Sequence, residues 1–329
     1  MELAIVGTGG IVKEALEALK EVQGVHCLAI YGREHSRDKA EELAGKYDIS
    51  QIYTDYEELL QNKKIEFVYI GLVNSAHYNY AKQALLADKN VIVEKPLTST
   101  YAEAVELVQL AQERALFLFE AMTLLHMPNF TVIKEALSTV GKLRLVQCNY
   151  SQYSSRYDTY KKSVVLPAFS PQLSGGALYD INIYNLNFVV GLFGRPFNVS
   201  YVANMGFNGI DTSGTAILRY DDFFAVCTGA KDSASPGFLL IQGEDGYIRV
   251  EGASNLLQSV EIATGEIVVK KNMNLYTHRM VHEFIAFNQI YEKNDKQAMT
   301  SYMQISLNVI YTAEQARKTA GIHFAVDKI

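Results

Sequence analysis

The first 120 residues alternate between short apolar runs and longer amphipathic stretches. Apolar runs with the length of buried strands occupy residues 3–6, 25–31, 51–53, 65–71, 90–93 and 116–119. Helical periodicity fills most of the intervals, at residues 11–22, 37–47, 56–61, 76–87 and 101–114. Strands that are apolar throughout and alternate with helices are typical of βαβ units around a parallel sheet. The pattern predicts an α/β domain over residues 1–120.

The pattern changes after about residue 120. Helical periodicity returns at residues 129–137, 175–192, 279–291 and 303–319. Strand-like segments with polar turns between them occupy residues 142–151, 198–206, 212–220, 223–230, 238–242, 247–251 and 259–262. Such a succession predicts a mainly antiparallel open sheet. Residues 121–329 should therefore form a second, α+β domain, and a length of 329 residues fits two domains.

A glycine-rich turn joins the first predicted strand to the first predicted helix. Gly7 allows a tight bend, and Gly9 has no side chain to keep a pyrophosphate away from the backbone. The free N–H groups and the positive dipole end of the following helix favour an anion at this place. The third position of the G-x-G-x-x-G/A fingerprint is Val12, so the match is incomplete. The turn predicts dinucleotide binding, and an ordinary strand-to-helix turn is the alternative.

The end of the second strand determines which adenosine ribose can bind. Enzymes that use NAD place an acidic residue there, about 20 residues past the glycines, to bind the 2′-hydroxyl. This strand ends in Tyr31, Gly32 and Arg33, and a guanidinium suits a 2′-phosphate. We therefore expect NADP to be preferred, with NAD possible, and Arg37 is a second candidate for the contact. The alternative is that Arg33 is a solvated surface charge.

Lys95 follows a buried strand at its carboxyl end, where ligands of open α/β sheets collect. An ammonium group there can bind a substrate hydroxyl or polarise a carbonyl. A lysine at a strand end is also often only solvated, so its position alone does not assign it a role.

Five motifs appear in order: GTGGIV at 7–12, GLVNSAH at 71–77, VIVEKPL at 91–97, EAM at 120–122 and SGGALYDINIYNL at 174–186. Together they resemble the glucose–fructose oxidoreductase / inositol dehydrogenase / MocA family of NAD(P)-dependent oxidoreductases. The resemblance implies an N-terminal Rossmann domain followed by an α+β substrate domain. It implies that Glu94 and Lys95 line the nicotinamide end, with Lys95 catalytic. The rest of the implied cofactor pocket is Gly7, Thr8, Gly9, Gly10, Ile11, Leu72, Asn74, His77 and Met122.

Asp180 and Tyr184 lie four residues apart, so on a helix they share a face. Many family members carry Asp and His at this spacing. Tyr in the second place resembles the dihydrodiol dehydrogenase and D-xylose dehydrogenase branch, in which a tyrosine is the proposed proton donor or acceptor. A cation from Lys95 would stabilise the phenolate, and Asp180 would orient the substrate or the lysine. The alternative is that both residues are structural.

One position departs from that branch, which usually has an arginine shortly after the E-A pair. Leu125 stands at that place, which puts the relatives' substrate in doubt. His126 is a candidate substitute ligand, with a packed or surface histidine as the alternative. The loop at 153–170, with Arg156, Tyr157, Tyr160, Lys161 and Lys162, is expected to border the pocket or to be solvated.

Composition narrows the remaining choices. The net charge of −6 argues against a nucleic-acid partner. No apolar run has the length of a membrane span, and we expect no signal peptide because Glu2 and the glycine turn interrupt the N-terminus. The three scattered cysteines form no metal motif and predict a cytoplasmic, reducing location. Alternating apolar residues after 198 predict a homodimer or higher homo-oligomer through the second-domain sheet.

The favoured hypothesis is an NADP-preferring dehydrogenase or reductase without a metal. A sugar, polyol or related cyclic alcohol is the substrate class that the resemblance implies. The runner-up is a cofactor-sensing regulator with the same fold, which Leu125 favours mildly and the retained Lys95, Asp180 and Tyr184 disfavour. A structural or interaction protein is the third possibility, and the glycine turn with the E-K-P tripeptide argues against it.

Overall fold

The computed structural model describes residues 1–328 and separates them into two compact units. The first unit contains Met1–Ala121 and Met280–Ser306, and the second contains Met122–Arg279 and the residues from Leu307 onward. The predicted boundary between a cofactor-binding domain at 1–120 and a substrate domain at 121–329 stays a prediction. By compactness, however, residues 280–306 group with the first unit.

The first unit contains a six-stranded, wholly parallel sheet with the order β3-β2-β1-β4-β5-β6. Its order reverses between β1 and β4, as in a dinucleotide-binding fold. The predicted succession of strands and helices is therefore confirmed. The strands are β1 (Glu2–Val6), β2 (His26–Tyr31), β3 (Gln51–Tyr53), β4 (Phe67–Ile70), β5 (Asn90–Glu94) and β6 (Leu118–Ala121).

Five helices of the first unit connect these strands. They are α1 (Gly10–Leu19), α2 (Arg37–Tyr47), α3 (Tyr56–Gln61), α4 (His77–Leu86) and α5 (Tyr101–Glu113). Side chains satisfy the first N–H groups of two of them. The Asp55 carboxylate accepts from the first turn of α3, and Thr100 forms a capping box with Glu103 at the start of α5.

The second unit contains an eight-stranded sheet with the order β14-β13-β12-β11-β7-β10-β9-β8. The pair β7–β10 is parallel and the other six pairs are antiparallel, so the predicted mainly antiparallel sheet is confirmed. The last strand was not predicted. The strands are β7 (Leu143–Ser151), β8 (Asn198–Met205), β9 (Asp211–Arg219), β10 (Phe224–Ala230), β11 (Phe238–Gly243), β12 (Gly246–Glu251), β13 (Val260–Thr264) and β14 (Ile267–Lys271).

Helix α6 (Pro128–Ala136) precedes β7, and α7 (Tyr157–Lys161) and α8 (Ile183–Phe193) lie between β7 and β8 in the chain. A π-helical segment, Leu178–Asn182, comes directly before α8. The Asn182 amide donates to the Cys227 carbonyl of β10 at 2.8 Å, which fixes the start of α8 on one face of the sheet. The predicted helix at 175–192 therefore begins later, because Gly176 has a φ of 100° and lies outside it.

Two helices end the chain: α9 (Arg279–Glu292) and α10 (Lys296–Thr319). Aromatic residues of α9 pack on the parallel sheet, with ring centroids of Phe287 and Phe119 4.6 Å apart and those of Tyr291 and Phe67 4.8 Å apart. Aromatic burial of this kind joins residues 280–306 to the first unit. Neither these nor any other helix among residues 1–328 has the length and apolarity needed to cross a bilayer.

Candidate active site

The glycine turn after β1 has the geometry that its sequence predicts. Gly7 has a φ of 120°, and its N–H donates to the Tyr31 carbonyl at 2.9 Å. A Cβ atom on Gly7 would lie 2.5 Å from the carbonyl oxygen of Gly71. Both the left-handed backbone and the lack of space require glycine here.

Gly9 and Gly10 lie on the open side of this turn. Gly9 is the N-cap of α1 and has no side chain to cap the first N–H groups, and the first turn carries no acidic residue. A Cβ atom on either glycine would meet nothing within 4 Å, and both residues are exposed. Thr8 and Ile11 beside them are half-buried. The N-terminus of α1 therefore presents accessible donors and a positive dipole end, which fits a pyrophosphate.

Val12 occupies the third place of the glycine fingerprint, and Gly71 at the end of β4 explains why a larger residue fits there. A Cβ atom on Gly71 would lie 2.7 Å from Cγ2 of Val12. The close approach of helix and strand that the third glycine normally permits is achieved here by a glycine on the strand side. The incomplete fingerprint therefore keeps the helix–strand packing.

Arg33 follows β2 and is exposed at the start of a short 3₁₀ turn. Arg37, the second candidate for a phosphate contact, is already engaged by two carboxylates. Its guanidinium lies 3.0 Å from Glu41 and 3.8 Å from Glu34. Arg33 is therefore the better placed of the two for a 2′-phosphate.

Glu94 and Lys95 stand at the carboxyl end of β5. The Glu94 carboxylate is buried and accepts hydrogen bonds from the Tyr69 hydroxyl at 2.6 Å and from the Lys95 backbone N–H at 3.1 Å. Lys95 itself is half-buried. Glu94 therefore fixes the backbone that carries Lys95, and Tyr69 is a supporting residue that the sequence did not single out.

His77 is fully buried and connects two loops at this sheet edge. Its Nδ1 lies 2.8 Å from the Pro96 carbonyl oxygen and its Nε2 lies 3.2 Å from that of Leu72. Burial lowers the pKa of the imidazole, which favours the neutral form with one N–H to donate. The neutral ring can donate to only one of these two carbonyl oxygens, so His77 packs between the segments at Leu72 and Pro96 and bonds one of them.

Glu120, in the quoted E-A-M motif, received no role from the sequence. It is buried, and its carboxylate accepts the Leu97 backbone N–H at 2.8 Å. Burial raises the pKa of this carboxyl to about 7, opposed by hydrogen bonds from Ser306 and Leu97, with a further rise from Glu94 and a decrease from Lys95. A carboxyl with a pKa near 7 is therefore hydrogen-bonded to the backbone two residues past Lys95.

Three further predicted pocket residues are Leu72, Asn74 and Met122. Leu72 and Asn74 are half-buried after β4, and Asn74 begins a 3₁₀ turn. Met122, the first residue of the second unit, is fully buried. Their contact with a cofactor remains a prediction.

Asp180 and Tyr184 lie at the junction of the π-helical segment and α8. π-helical turns occur often at functional sites. The buried Asp211 carboxylate fixes this segment by accepting the Leu178 N–H at 2.6 Å and the Tyr201 hydroxyl at 2.8 Å. Burial raises the pKa of Asp211.

Tyr184 is 5% exposed, and its hydroxyl accepts a hydrogen bond from Nη1 of Arg279 at 3.3 Å. Its ring packs against Tyr150, with centroids 5.9 Å apart. The sequence did not single out Arg279, because 95 residues separate the two positions and no local motif marks the arginine. Tyr184 therefore has a permanent cation beside its hydroxyl.

Asp180 has a second partner that the sequence did not identify. Nζ of Lys231, one residue past β10, lies 2.5 Å from Oδ2 of Asp180. The lysine side chain is 3% exposed and that of Asp180 is 36% exposed. In the sequence, Lys231 follows an apolar strand directly. Many solvated lysines share this pattern, so the sequence gives no reason to single it out.

Leu125, which stands where the related branch has an arginine, is packed in the interior of the second unit. Leu125 is 7% exposed and touches α8, where a Cβ atom on Gly191 would lie 2.9 Å from Leu125 Cδ2. Desolvation lowers the pKa of His126 to about 3, so this imidazole is neutral at neutral pH. His126 therefore does not replace the charge of the arginine.

The loop at 153–170 lies beside Asp180. Its Ala168 carbonyl accepts a hydrogen bond from Lys231 at 2.7 Å, and Phe169 lies under the same ammonium group. Tyr157 and Tyr160 pack in an aromatic cluster with Phe169, and Lys161 pairs with Asp158 at 2.8 Å. Arg156 and Lys162 are exposed. Within residues 1–328, no three His, Cys, Asp or Glu side chains form a metal cluster.

Family models match both parts of the chain. Residues 1–121 match the GFO_IDH_MocA model, described as an oxidoreductase family with an NAD-binding Rossmann fold. Residues 132–249 match the GFO/IDH/MocA C-terminal domain.

Individual proteins are similar over different lengths. The chain is 32% identical over 330 residues to scyllo-inositol 2-dehydrogenase (NADP(+)) IolU of Bacillus subtilis, covering 100% of the chain and 99% of that protein. It is 34% identical over 198 residues to human trans-1,2-dihydrobenzene-1,2-diol dehydrogenase, covering 59% and 56%. The structure of levoglucosan dehydrogenase with NADH and levoglucosan is 15% identical, with a TM-score of 0.83 and coverage of 98% and 97%. The last similarity concerns the fold.

Proposed function

The chain belongs to the GFO/IDH/MocA family of oxidoreductases, and we propose that it transfers a hydride between NADP and a hydroxyl- or carbonyl-bearing carbon of a cyclic polyol or sugar. The predicted family and the predicted class, an NAD(P)-dependent oxidoreductase, are confirmed by these similarities. The preference for NADP, the substrate and the roles of single residues are proposals.

One observation carries the proposal. The glycine turn after β1 and Lys95 after β5 lie at the same carboxyl edge of the parallel sheet, with only β4 between their strands. Ligands of open α/β sheets bind at that edge, where the strand order reverses. The open N-terminus of α1 receives the pyrophosphate, Arg33 the 2′-phosphate, and Lys95 lies on the side assigned to the nicotinamide.

The nicotinamide supplies or accepts the hydride when it is bound. The chain's own residues move the accompanying proton. Tyr184 donates it to a carbonyl oxygen or takes it from a hydroxyl, while the Arg279 guanidinium donates a hydrogen bond to the tyrosine hydroxyl at 3.3 Å. Lys95 binds the substrate oxygen, and Asp180 accepts a hydrogen bond from a neighbouring hydroxyl.

The substrate class rests on the similarity that covers the whole chain. IolU is named for scyllo-inositol, a cyclic polyol, and for NADP(+). Leu125 is buried apolar and His126 is neutral, so this loop provides no cation for an acidic substrate. An uncharged polyol or sugar fits this arrangement best.

We also propose that two copies of the chain associate through the eight-stranded sheet. Helix α8 contacts one face of the sheet, and the other face carries exposed Val202, Ile217 and Phe224. Strand register places the three side chains on the same face, and in a monomer this apolar face would be exposed to water.

We propose a reducing, cytoplasmic location. Cys148 and Cys227 are buried neighbours in strand register and are free thiols, as is Cys27. Burial raises the pKa of the Cys148 thiol, which keeps it protonated and unreactive. Three free thiols fit a compartment in which disulfides are rare.

Cofactor binding and turnover test the proposal in sequence. Fluorescence of bound NADPH should show saturable binding that is tighter than that of NADH. The chain should then reduce NADP⁺ with scyllo-inositol, other cyclic polyols or aldoses in the panel. NADPH binding without turnover of any panel member would contradict the proposed activity.

Lys95→Met provides the residue-level version of this test. We expect the variant to bind NADPH and to lose about 10²–10⁴-fold in kcat, the usual contribution of a group that assists proton transfer. Lys64→Met, at an exposed loop position of the same unit, is the matched control and should keep the wild-type rate.

A further inference from the structure

Lys231 is a buried cation in the second unit, and the family motifs do not include it. Its ammonium group contacts the Asp180 carboxylate at 2.5 Å and the Ala168 carbonyl at 2.7 Å, and it lies 4.4 Å from the centre of the Phe169 ring. Charge-assisted hydrogen bonds and a cation–π contact hold it in one place.

The backbone around Lys231 is fixed as well. Its N–H donates to the Thr212 carbonyl at 2.9 Å, and its carbonyl accepts the Ser154 N–H at 2.9 Å. The adjacent carboxylate, Asp232, is directed elsewhere, because it accepts the hydroxyls of Thr212 and Ser213 at 2.7 Å. Lys231 therefore pairs with Asp180 and not with its neighbour in the chain.

A buried ion pair of this kind contributes little net free energy to folding, so a purely structural role explains it poorly. Desolvation of a buried ammonium group can exceed the attraction to its partner, so an apolar residue often stabilises a fold equally well. The exposure of the two side chains is also unequal. Lys231 is enclosed at 3%, whereas Asp180 keeps 36% of its side chain exposed. The lysine faces the protein interior, and the carboxylate faces outward.

We propose that Lys231 is a positioning residue that holds the Asp180 carboxylate ionised and oriented toward a substrate hydroxyl, and that links it to the loop at 153–170. This inference rests on the proposed function. It makes Asp180 an acceptor for a neutral hydroxyl and leaves proton transfer to Tyr184. It also makes the Ala168–Phe169 part of the loop sensitive to the state of Asp180.

Substrate kinetics at saturating NADP⁺ test the inference. In Lys231→Met, we expect KM for the polyol or sugar to rise about ten- to hundredfold, the range for losing a hydrogen bond to a charged group. KM for NADP⁺ should stay within about twofold, because no cofactor contact is removed. Lys231→Arg keeps the cation and should recover most of the affinity. Lys231→Gln also removes the charge, and it replaces Lys231→Met in this experiment if Lys231→Met yields no folded protein.

The double variant Lys231→Met/Asp180→Asn shows whether the lysine acts through Asp180. The double variant should have no higher substrate KM than Asp180→Asn alone, because the lysine has nothing left to position. The matched control is Lys142→Met, which breaks an exposed lysine–aspartate pair with Asp222 in the same unit and should leave KM unchanged. A substrate KM of Lys231→Met equal to that of the wild type, or independent effects in the double variant, would overturn the inference.

Thermal unfolding separates this inference from the proposed function. The Tm losses of Lys231→Met and Asp180→Asn should be less than additive, whether or not a substrate is known. Additive Tm losses would show that the two side chains do not interact, which would overturn the inference. A wild-type chain that turns over no polyol or sugar contradicts the proposed function, and the substrate role of Lys231 is then rejected with it, even where the Tm losses confirm the pair.

Discussion

The Tyr184 hydroxyl and the Arg279 guanidinium are joined by a hydrogen bond of 3.3 Å within the second unit. Arginine stays charged at every accessible pH, so the Tyr184 hydroxyl always has a cationic hydrogen-bond donor beside it. The contact is the main structural reason to regard Tyr184 as the group that carries the proton rather than as one of many packed aromatic residues.

Tyr184→Phe should retain the fold and NADPH binding, because only a hydroxyl is removed. We expect kcat to fall by about 10²–10⁴-fold, the usual range for general acid–base catalysis. Arg279→Met should reduce kcat by about tenfold or more, through loss of a charge-assisted hydrogen bond. The double variant should be no slower than Tyr184→Phe, which steady-state kinetics will show. Tyr220→Phe, which removes a hydroxyl bonded to the Gly194 carbonyl, is the control. A near-normal kcat in Tyr184→Phe would make this tyrosine a packing residue.

Cofactor choice should depend on Arg33. Arg33→Ala should raise KM for NADPH about ten- to hundredfold and leave KM for NADH nearly unchanged, because a charge-assisted phosphate contact contributes about 1.5–3 kcal/mol. Arg37→Ala is the control, since Glu41 and Glu34 already engage that guanidinium. Equal changes in both KM values for Arg33→Ala would reject the 2′-phosphate contact.

Glu120 should make stability depend on pH. Its pKa rises from 4.5 to about 7 on folding, mainly through burial, so between these values the folded state binds more protons than the unfolded state. Stability contributed by the neutral carboxyl is therefore complete below pH 4.5 and is lost as pH rises to 7, by about 3 kcal/mol. Relative to wild type, Glu120→Gln should gain stability progressively across this range in urea unfolding.

The control for this pH dependence is Glu113→Gln, at an exposed position on α5, which should follow the wild type at each pH. A constant difference between Glu120→Gln and wild type from pH 4.5 to pH 7 would show that Glu120 titrates normally in the folded state.

Gly71 should be intolerant of a methyl group as long as Val12 is present. In Gly71→Ala, the new Cβ would lie 2.7 Å from Val12 Cγ2, and overpacking of this kind costs about 1–3 kcal/mol. Val12→Ala should reduce that penalty in the double variant, measured by chemical unfolding. Gly45→Ala, on α2 with open space at its Cβ, should instead stabilise the chain by about 1 kcal/mol. Strict additivity of the changes at 12 and 71 would contradict the contact.

The second-domain sheet should bury its apolar face in a dimer. Light scattering at micromolar concentration should give twice the chain mass of 36.8 kDa. Ile217→Asp places a charge on the outer face and should shift the mass to that of a monomer, whereas Glu135→Lys, at an exposed position on α6, should not. A monomer mass for the wild-type chain would refute this interface.

Much of the fold is encoded in local patterns. Strands β1, β4, β5 and β6 of the parallel sheet are almost wholly buried, so they appear in the sequence as mostly apolar runs, and the glycine turn is marked by residues that its backbone requires. β14 could not be predicted, because all five of its residues are exposed and its sequence, IVVKK, lacks the alternation of apolar and polar residues that marks a half-buried strand. The packing of Phe287 on Phe119 was equally hidden, since it joins positions far apart in the chain.

The sequence predicts the two-part architecture and the glycine turn, and it singles out Lys95, Asp180 and Tyr184 as candidates, because each of these signals is carried by residues close together in the chain. The surroundings of these residues depend on tertiary structure. It places Lys231 on Asp180 and Arg279 on Tyr184, sets His77 between two backbone carbonyl oxygens, and lets Gly71 accommodate Val12. These relationships depend on which distant segments pack together, and burial then sets the charge and position of each group.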